Sequence, residues 1–185
     1  MTKACIQYLK DHQEDFLEQL MEYLRIPSVS AQSDHADDIQ SCSDWLVAHC
    51  KTIGLKTRKI KTAGNPVVIA QTPRKGKSKK PHFMVYGHYD VQPPDPLNLW
   101  TTSPFEPHIE GDKLIARGAT DNKGQHFVHL KAVESYLKTG TELPCDITFM
   151  IEGEEEIGSP SLTPALEKLK SELNVKAVVV SDNGM

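Results

Sequence analysis

Four short segments of this sequence carry the residue types that hold metals and move protons. Val85-Tyr86-Gly87-His88-Tyr89-Asp90 ends one apolar run, and Arg117-Gly118-Ala119-Thr120-Asp121-Asn122-Lys123-Gly124 opens a helical pattern. Ile151-Glu152-Gly153-Glu154-Glu155-Glu156-Ile157-Gly158-Ser159 and Val180-Ser181-Asp182-Asn183 follow two further apolar runs. His88 and Asp90 lie two apart, so in an extended segment they face the same way. A histidine nitrogen can then take a metal while Asp90 fixes the ring. Asp121 can be a helix N-cap, which aspartate does well, or a carboxylate bridging two cations; a helix N-terminus tolerates both. The three glutamates could be a solvated turn. Gly158-Ser159-Pro160 nevertheless brings the chain round into a helix there, and one glutamate can bind metal while its neighbour acts as a base. Asp182 adds another hard oxygen. Carboxylates gathered at strand ends repel one another unless cations hold them, and a mixed histidine and carboxylate set suits zinc, manganese or cobalt. Two such ions lower the pKa of a shared water towards about 7 and polarise a carbonyl oxygen, which is the chemistry of hydrolysis.

The elements that must position these residues alternate. Ile6, Leu9, Phe16, Leu17, Leu20, Met21 and Leu24 predict one helix, ended by Pro27. A second runs from about Asp38 to Ile53, with Ile39, Cys42, Trp45, Leu46, His49 and Ile53 inward and Gly54 as its stop. Lys56 to Ile60, Pro66 to Thr72, His82 to Tyr86, Lys113 to Ala116, Ile147 to Ile151 and Ala177 to Val180 read as strands, the last of them buried. Residues 91 to 112 read as a long loop, and loops of that length tend to be functional. Helices are predicted from Lys123 to Lys138 and around Leu162, Leu166, Leu169 and Leu173. Such alternation argues for an α/β fold with an at least partly parallel sheet, whose ligands bind outside the carboxyl ends of the strands. All four acidic segments sit there.

The bulk numbers are those of an ordinary globular chain: 185 residues, 38% hydrophobic, 25% charged, net charge -4. Nothing in them points to nucleic acid, and no stretch approaches a membrane span. The basic run Arg74-Lys75-Gly76-Lys77-Ser78-Lys79-Lys80 reads as a solvated loop. Cys5, Cys42, Cys50 and Cys145 contain no C-x-x-C pair and suit a reduced, cytoplasmic protein.

Taken together the motifs resemble the M20 metallopeptidase family, nearest to its carnosinase-like dipeptidase branch. The likeness runs through Tyr86-Gly87-His88-Tyr89-Asp90-Val91-Gln92-Pro93, Trp100 with Pro104-Phe105, and the Asp121, Glu152–Ser159 and Asp182 segments. It implies a three-layer, zinc-peptidase-like sandwich with a mixed, mostly parallel sheet. It implies His88 and Asp182 as ligands of one metal, Asp121 as the bridge, Glu156 as a ligand of the second metal, Glu155 as general base and Asp90 as the partner of His88. The cofactors would be two divalent ions, zinc foremost with manganese or cobalt possible. The substrate would be a dipeptide, or an N-acyl amino acid if the chain is a deacylase or desuccinylase. A peptide bond that is often cis in the family makes Asp121–Asn122 a candidate. The resemblance further implies that these residues are the N-terminal portion of a catalytic domain. An inserted lid and dimerisation domain and a final histidine ligand are expected elsewhere, and the full-length relative is expected to be a homodimer. Alone, the chain would then turn over little, or act only as a silent metal-binding module. His126 and His129, at i, i+3 spacing on one helix, are expected in packing or surface roles.

Overall fold

The computed structural model describes residues 2–74 and 78–182; the centre of the basic run and Asn183 lie outside them. Two helices, α1 (Thr2–Asp11) and α2 (Gln13–Leu24), stand where the pattern suggests one. His12, with φ -114° and ψ 17°, separates them; its backbone N–H keeps the Tyr8 carbonyl at 3.2 Å, its Nδ1 lies 2.9 Å from the same oxygen, and its ring stacks on Tyr8. Helix α3 (Ala36–Ile53) ends at Gly54, whose φ of 103° is the left-handed turn expected of a glycine stop. Strands β1 (Lys56–Ile60), β2 (Val67–Gln71) and β3 (His82–His88) follow, then the short hairpin β4 (His108–Glu110) and β5 (Lys113–Ile115). Helix α4 (Lys123–Thr139), β6 (Asp146–Glu152), α5 (Leu162–Leu169) and β7 (Ala177–Val180) complete the described elements. The Asp121–Asn122 peptide bond is cis, as is Asp95–Pro96.

The main sheet has the order β1-β2-β6-β3-β7. Strand β6 is parallel to β3, and β3 to β7, while β2 runs antiparallel to both β6 and β1. Four of the five strands therefore point the same way, so the sheet is mixed with a parallel majority. Its central strands are buried on both faces and so read as continuous apolar runs. On one face Val68, Ala70, Val85, Phe149 and Ile151 pack under Ile39, Leu46 and Ile53 of α3 and Phe127 and Leu130 of α4. On the other, Val67, Ile69, Met84 and Met150 meet Ala165 and Leu169 of α5. The alternation of neighbouring residues between faces is the period-two rule of strands, and it produces helix–sheet–helix layers.

The expectation of a buried last strand is corrected. All four residues of β7 are exposed, Val178 by 48% and Val180 by 55%. Strand β7 forms the sheet edge, with β3 its hydrogen-bonded neighbour among the described residues.

Candidate metal centre

Parallel pairing gathers the four acidic segments. His88 lies beside Glu152 in the β3–β6 register, and Tyr86 beside Val180 in the β3–β7 register. The chain thus leaves three strands on the same side, carrying Asp90, Glu154 to Glu156 and Asp182. Helix α4 begins there, so Asp121, in the turn before it, arrives from a fourth direction. Asn122, not Asp121, is the residue at the helix cap, so the N-cap reading of Asp121 does not hold.

His88 is fully buried. Its Nδ1 is 3.0 Å from the backbone carbonyl of Asp90 and 3.4 Å from Asp90 Oδ1. That contact turns Nε2 toward Asp121 Oδ1 at 3.0 Å, Asp182 Oδ2 at 3.7 Å and Glu155 Oε2 at 3.9 Å. The Asp121 contact is short but not aligned as a hydrogen bond. Nε2 is a buried nitrogen without a hydrogen-bond partner among the described residues. Ligand atoms of His88, Asp121 and Asp182 lie within 4.8 Å of one another, and so do those of His88, Glu155 and Glu156. Carboxylate oxygens converging on one buried, unsatisfied imidazole nitrogen fit a divalent cation by donor chemistry and by the rule that buried polar atoms find partners.

The electrostatics point the same way. Burial disfavours charge on His88, but the Asp90 carboxylate and carbonyl and the Asp182 carboxylate outweigh it and push the imidazole up to about 9. The surroundings select positive charge at this spot. Burial raises Glu155; the His88 imidazole opposes, and Asp182, Asp90 and Asp121 add to the rise. Glu156 is also raised by burial, against a hydrogen bond from Gln92. Crowded carboxylates of this kind are characteristic of functional sites.

The structure also gives roles that spacing alone did not reveal. The fully buried Asp90 carboxylate accepts the backbone N–H groups of Glu155 (3.2 Å) and Glu156 (3.1 Å) and the Ser30 hydroxyl (2.6 Å). It therefore fixes the glutamate turn as well as lying beside His88. Gln92 Nε2 donates to Glu156 Oε2 at 2.7 Å. Glu154, the first of the three glutamates, is buried, and its carboxylate accepts the N–H groups of Asn65 (2.9 Å) and Ser161 (3.0 Å). Glu152 accepts from the hydroxyls of Tyr86 (2.6 Å) and Ser159 (2.8 Å). At Gly153 a Cβ would stand 2.3 Å from the buried Tyr89 ring, so this close crossing admits only glycine. His126 is buried, as expected of a packing residue, and His129 Nε2 lies 2.7 Å from Ser181 Oγ.

The mixed sheet and the cluster at its carboxyl edge define a zinc-peptidase-like α/β fold with a centre suited to divalent metal. The chain belongs to peptidase family M20/M25/M40, whose family model matches residues 84–185. It is 32% identical to a Cys-Gly metallodipeptidase of Candida albicans over 91% of its length, covering 38% of that protein. Its fold matches human carnosine dipeptidase 1 with a TM-score of 0.92 at 30% identity, covering 100% of this chain and 42% of that one. It also matches an M20 family metallo-carboxypeptidase of Sulfolobus solfataricus with a TM-score of 0.83 at 37% identity, over 92% of this chain and 38% of that one. The chain thus spans about two fifths of the length of these relatives.

Proposed function

We propose that this chain carries the metal-holding part of a hydrolase that cleaves the amide bond of dipeptides. The observation that supports it best is the buried Nε2 of His88, faced by Asp121, Asp182 and Glu155 and without a hydrogen-bond partner among the described residues. His88, Asp121 and Asp182 would hold one divalent ion, and Asp121 with Glu156 would hold the second. Bound there, the ions supply Lewis acidity toward a carbonyl oxygen and make a nearby water more acidic. Zinc suits the donors best, with manganese or cobalt as substitutes.

The chain's own residues do the rest. The Nδ1 contact to the Asp90 carbonyl orients the His88 ring. Asp90 holds the backbone of Glu155 and Glu156, and Gln92 holds the Glu156 carboxylate. Glu155, partly exposed and raised by burial and acidic neighbours, is a stronger base than a free glutamate. It would take the proton from the attacking water and return it to the leaving amine. Because the chain covers about two fifths of its relatives, hydrolysis is assigned to the whole protein and metal holding to these residues. Four free cysteines, three of them buried, fit a cytoplasmic setting. No helix among the described residues is long and apolar enough to cross a membrane.

Hydrolysis of a panel of dipeptides, longer peptides and N-acyl amino acids by the protein, before and after chelation, tests this reading. Dipeptide cleavage that is lost on chelation and restored by zinc or manganese supports it. Cleavage confined to N-acyl amino acids, or indifferent to chelation, overturns it.

A further inference from the structure

A second set of buried polar groups lies directly behind the cluster. The Tyr23 hydroxyl is 3.1 Å from His126 Nε2, and His126 Nδ1 is 3.2 Å from Asn122 Oδ1. Asn122 Oδ1 also accepts the backbone N–H of His88 at 3.2 Å. Asn122 Nδ2 donates to the Ser181 carbonyl and, at 3.3 Å, to Asp182 Oδ1. Tyr23, Asn122 and His126 are all at most 1% exposed.

These contacts admit one sequence of donors. The His88 N–H requires an acceptor, so the amide oxygen of Asn122 must face it. The same oxygen faces His126 Nδ1, which must then carry the ring proton. His126 Nε2 is left as an acceptor, and the Tyr23 hydroxyl donates to it. In the other tautomer, His126 would favour a flipped Asn122. That flip would set an amide NH2 against the His88 N–H and an oxygen against the Asp182 carboxylate. Two features hold the ring in place. Tyr23 stacks on Trp45 with centroids 4.6 Å apart, and Gly87 leaves room for the meeting point. A Cβ at Gly87 would lie 2.7 Å from Asn122 Oδ1 and 3.0 Å from His126 Cβ.

We propose that Tyr23, His126 and Asn122 form a positioning relay in which the His126 tautomer fixes the Asn122 amide, and the amide fixes the Asp182 carboxylate for the metal. None of the three touches the ion; they act through Asp182 and the backbone of His88. The inference rests on the metal-centre reading of Asp182, and the experiment separates the two.

Zinc affinity is measured by chelator competition for the unaltered chain, Asp182→Asn, His126→Gln and His126→Asn, with circular dichroism as the check on folding. Asparagine keeps a donor where Nδ1 stands; glutamine moves it toward the Nε2 position. His126→Gln is expected to weaken one zinc by about 10–100-fold, the range for partners that orient ligands, and His126→Asn by less than about 3-fold. If both His126 variants bind zinc as the unaltered chain does while Asp182→Asn is weakened, the relay is overturned and the metal centre stands. If Asp182→Asn also binds normally, the metal-centre reading itself falls. Nitrogen-15 spectra of the imidazoles in the unaltered chain decide the matter even where a variant does not fold. Protonation of His126 at Nδ1 supports the relay, and protonation at Nε2 overturns it.

Discussion

Asp90 Oδ2 accepts the backbone N–H of Glu156 at 3.1 Å, joining the segment after β3 to the turn after β6. The same carboxylate accepts the Glu155 N–H through Oδ1 and lies 3.4 Å from His88 Nδ1. One buried group therefore sets the distance between an imidazole and two glutamates that are 67 and 68 positions along the sequence from His88 in numbering.

Asp90→Asn should disturb both sides at once. One of its two acceptor oxygens becomes a donor facing a backbone N–H. We expect a loss of about 1–3 kcal/mol in stability, the cost of unpaired buried hydrogen-bonding groups, read by urea unfolding. Zinc affinity should fall by about 10–100-fold. An Asp90→Asn chain with unchanged unfolding midpoint and zinc affinity would remove Asp90 from this role.

The two glutamates should separate by function. In the whole protein, Glu155→Gln is expected to lower hydrolysis by at least about 10²-fold while metal content stays unchanged, since a general base contributes roughly 10²–10⁴. Glu156→Gln should instead lose metal on dialysis. The reverse pattern would shift the assignment by one residue.

Proton release should accompany metal binding. The His88 pKa is raised from 6.5 to about 9, so the protonated imidazole stabilises the metal-free fold. That stabilisation is fully present below about 6.5 and is lost as pH rises through about 9. A cation competes with this proton, so zinc affinity should rise with pH over the same window. Glu155 and Glu156, also raised, add to the release at the acid end. Calorimetry at pH 7 in buffers of different ionisation enthalpy should count about one proton released through His88. The count should fall in His88→Gln; equal release in both proteins would contradict the assignment.

Gly153→Ala should destabilise the chain without altering any acidic group. The new methyl would meet Tyr89, whose hydroxyl donates to the Pro66 carbonyl at 2.7 Å in the core. Overpacking of this kind costs roughly 1–3 kcal/mol or more. Thermal unfolding would show the loss, and an unchanged midpoint would mean that the crossing yields more easily than its geometry suggests.

Most of this architecture was legible because periodicity and punctuation agree. Gly54 marks the end of α3, and the runs that became β2, β3 and β6 are continuous because both faces are buried. The acidic segments could be placed at strand ends for the same reason. What stayed hidden depends on long-range partners. The break at His12 is a local departure of one residue's backbone from helical angles, which the apolar spacing does not register. The exposure of β7 follows from its place at the sheet edge, and an apolar run looks alike at the edge or the centre. Gln92 stood inside a recognised motif, yet its hold on Glu156 joins residues 64 positions apart. Asn122 had no role of its own in the sequence, and only the fold brings Ser181 and Asp182 to its amide.

The most direct measurement is the anomalous diffraction of crystals of the whole protein grown with zinc. We expect two peaks about 3.5–4 Å apart at the carboxyl edge of the sheet. His88, Asp121 and Asp182 should surround one of them and Asp121 and Glu156 the other, with ligand distances of about 2.0–2.2 Å. Zinc found elsewhere on the surface, with His88 Nε2 bound to no metal, would contradict the metal centre and the function built upon it.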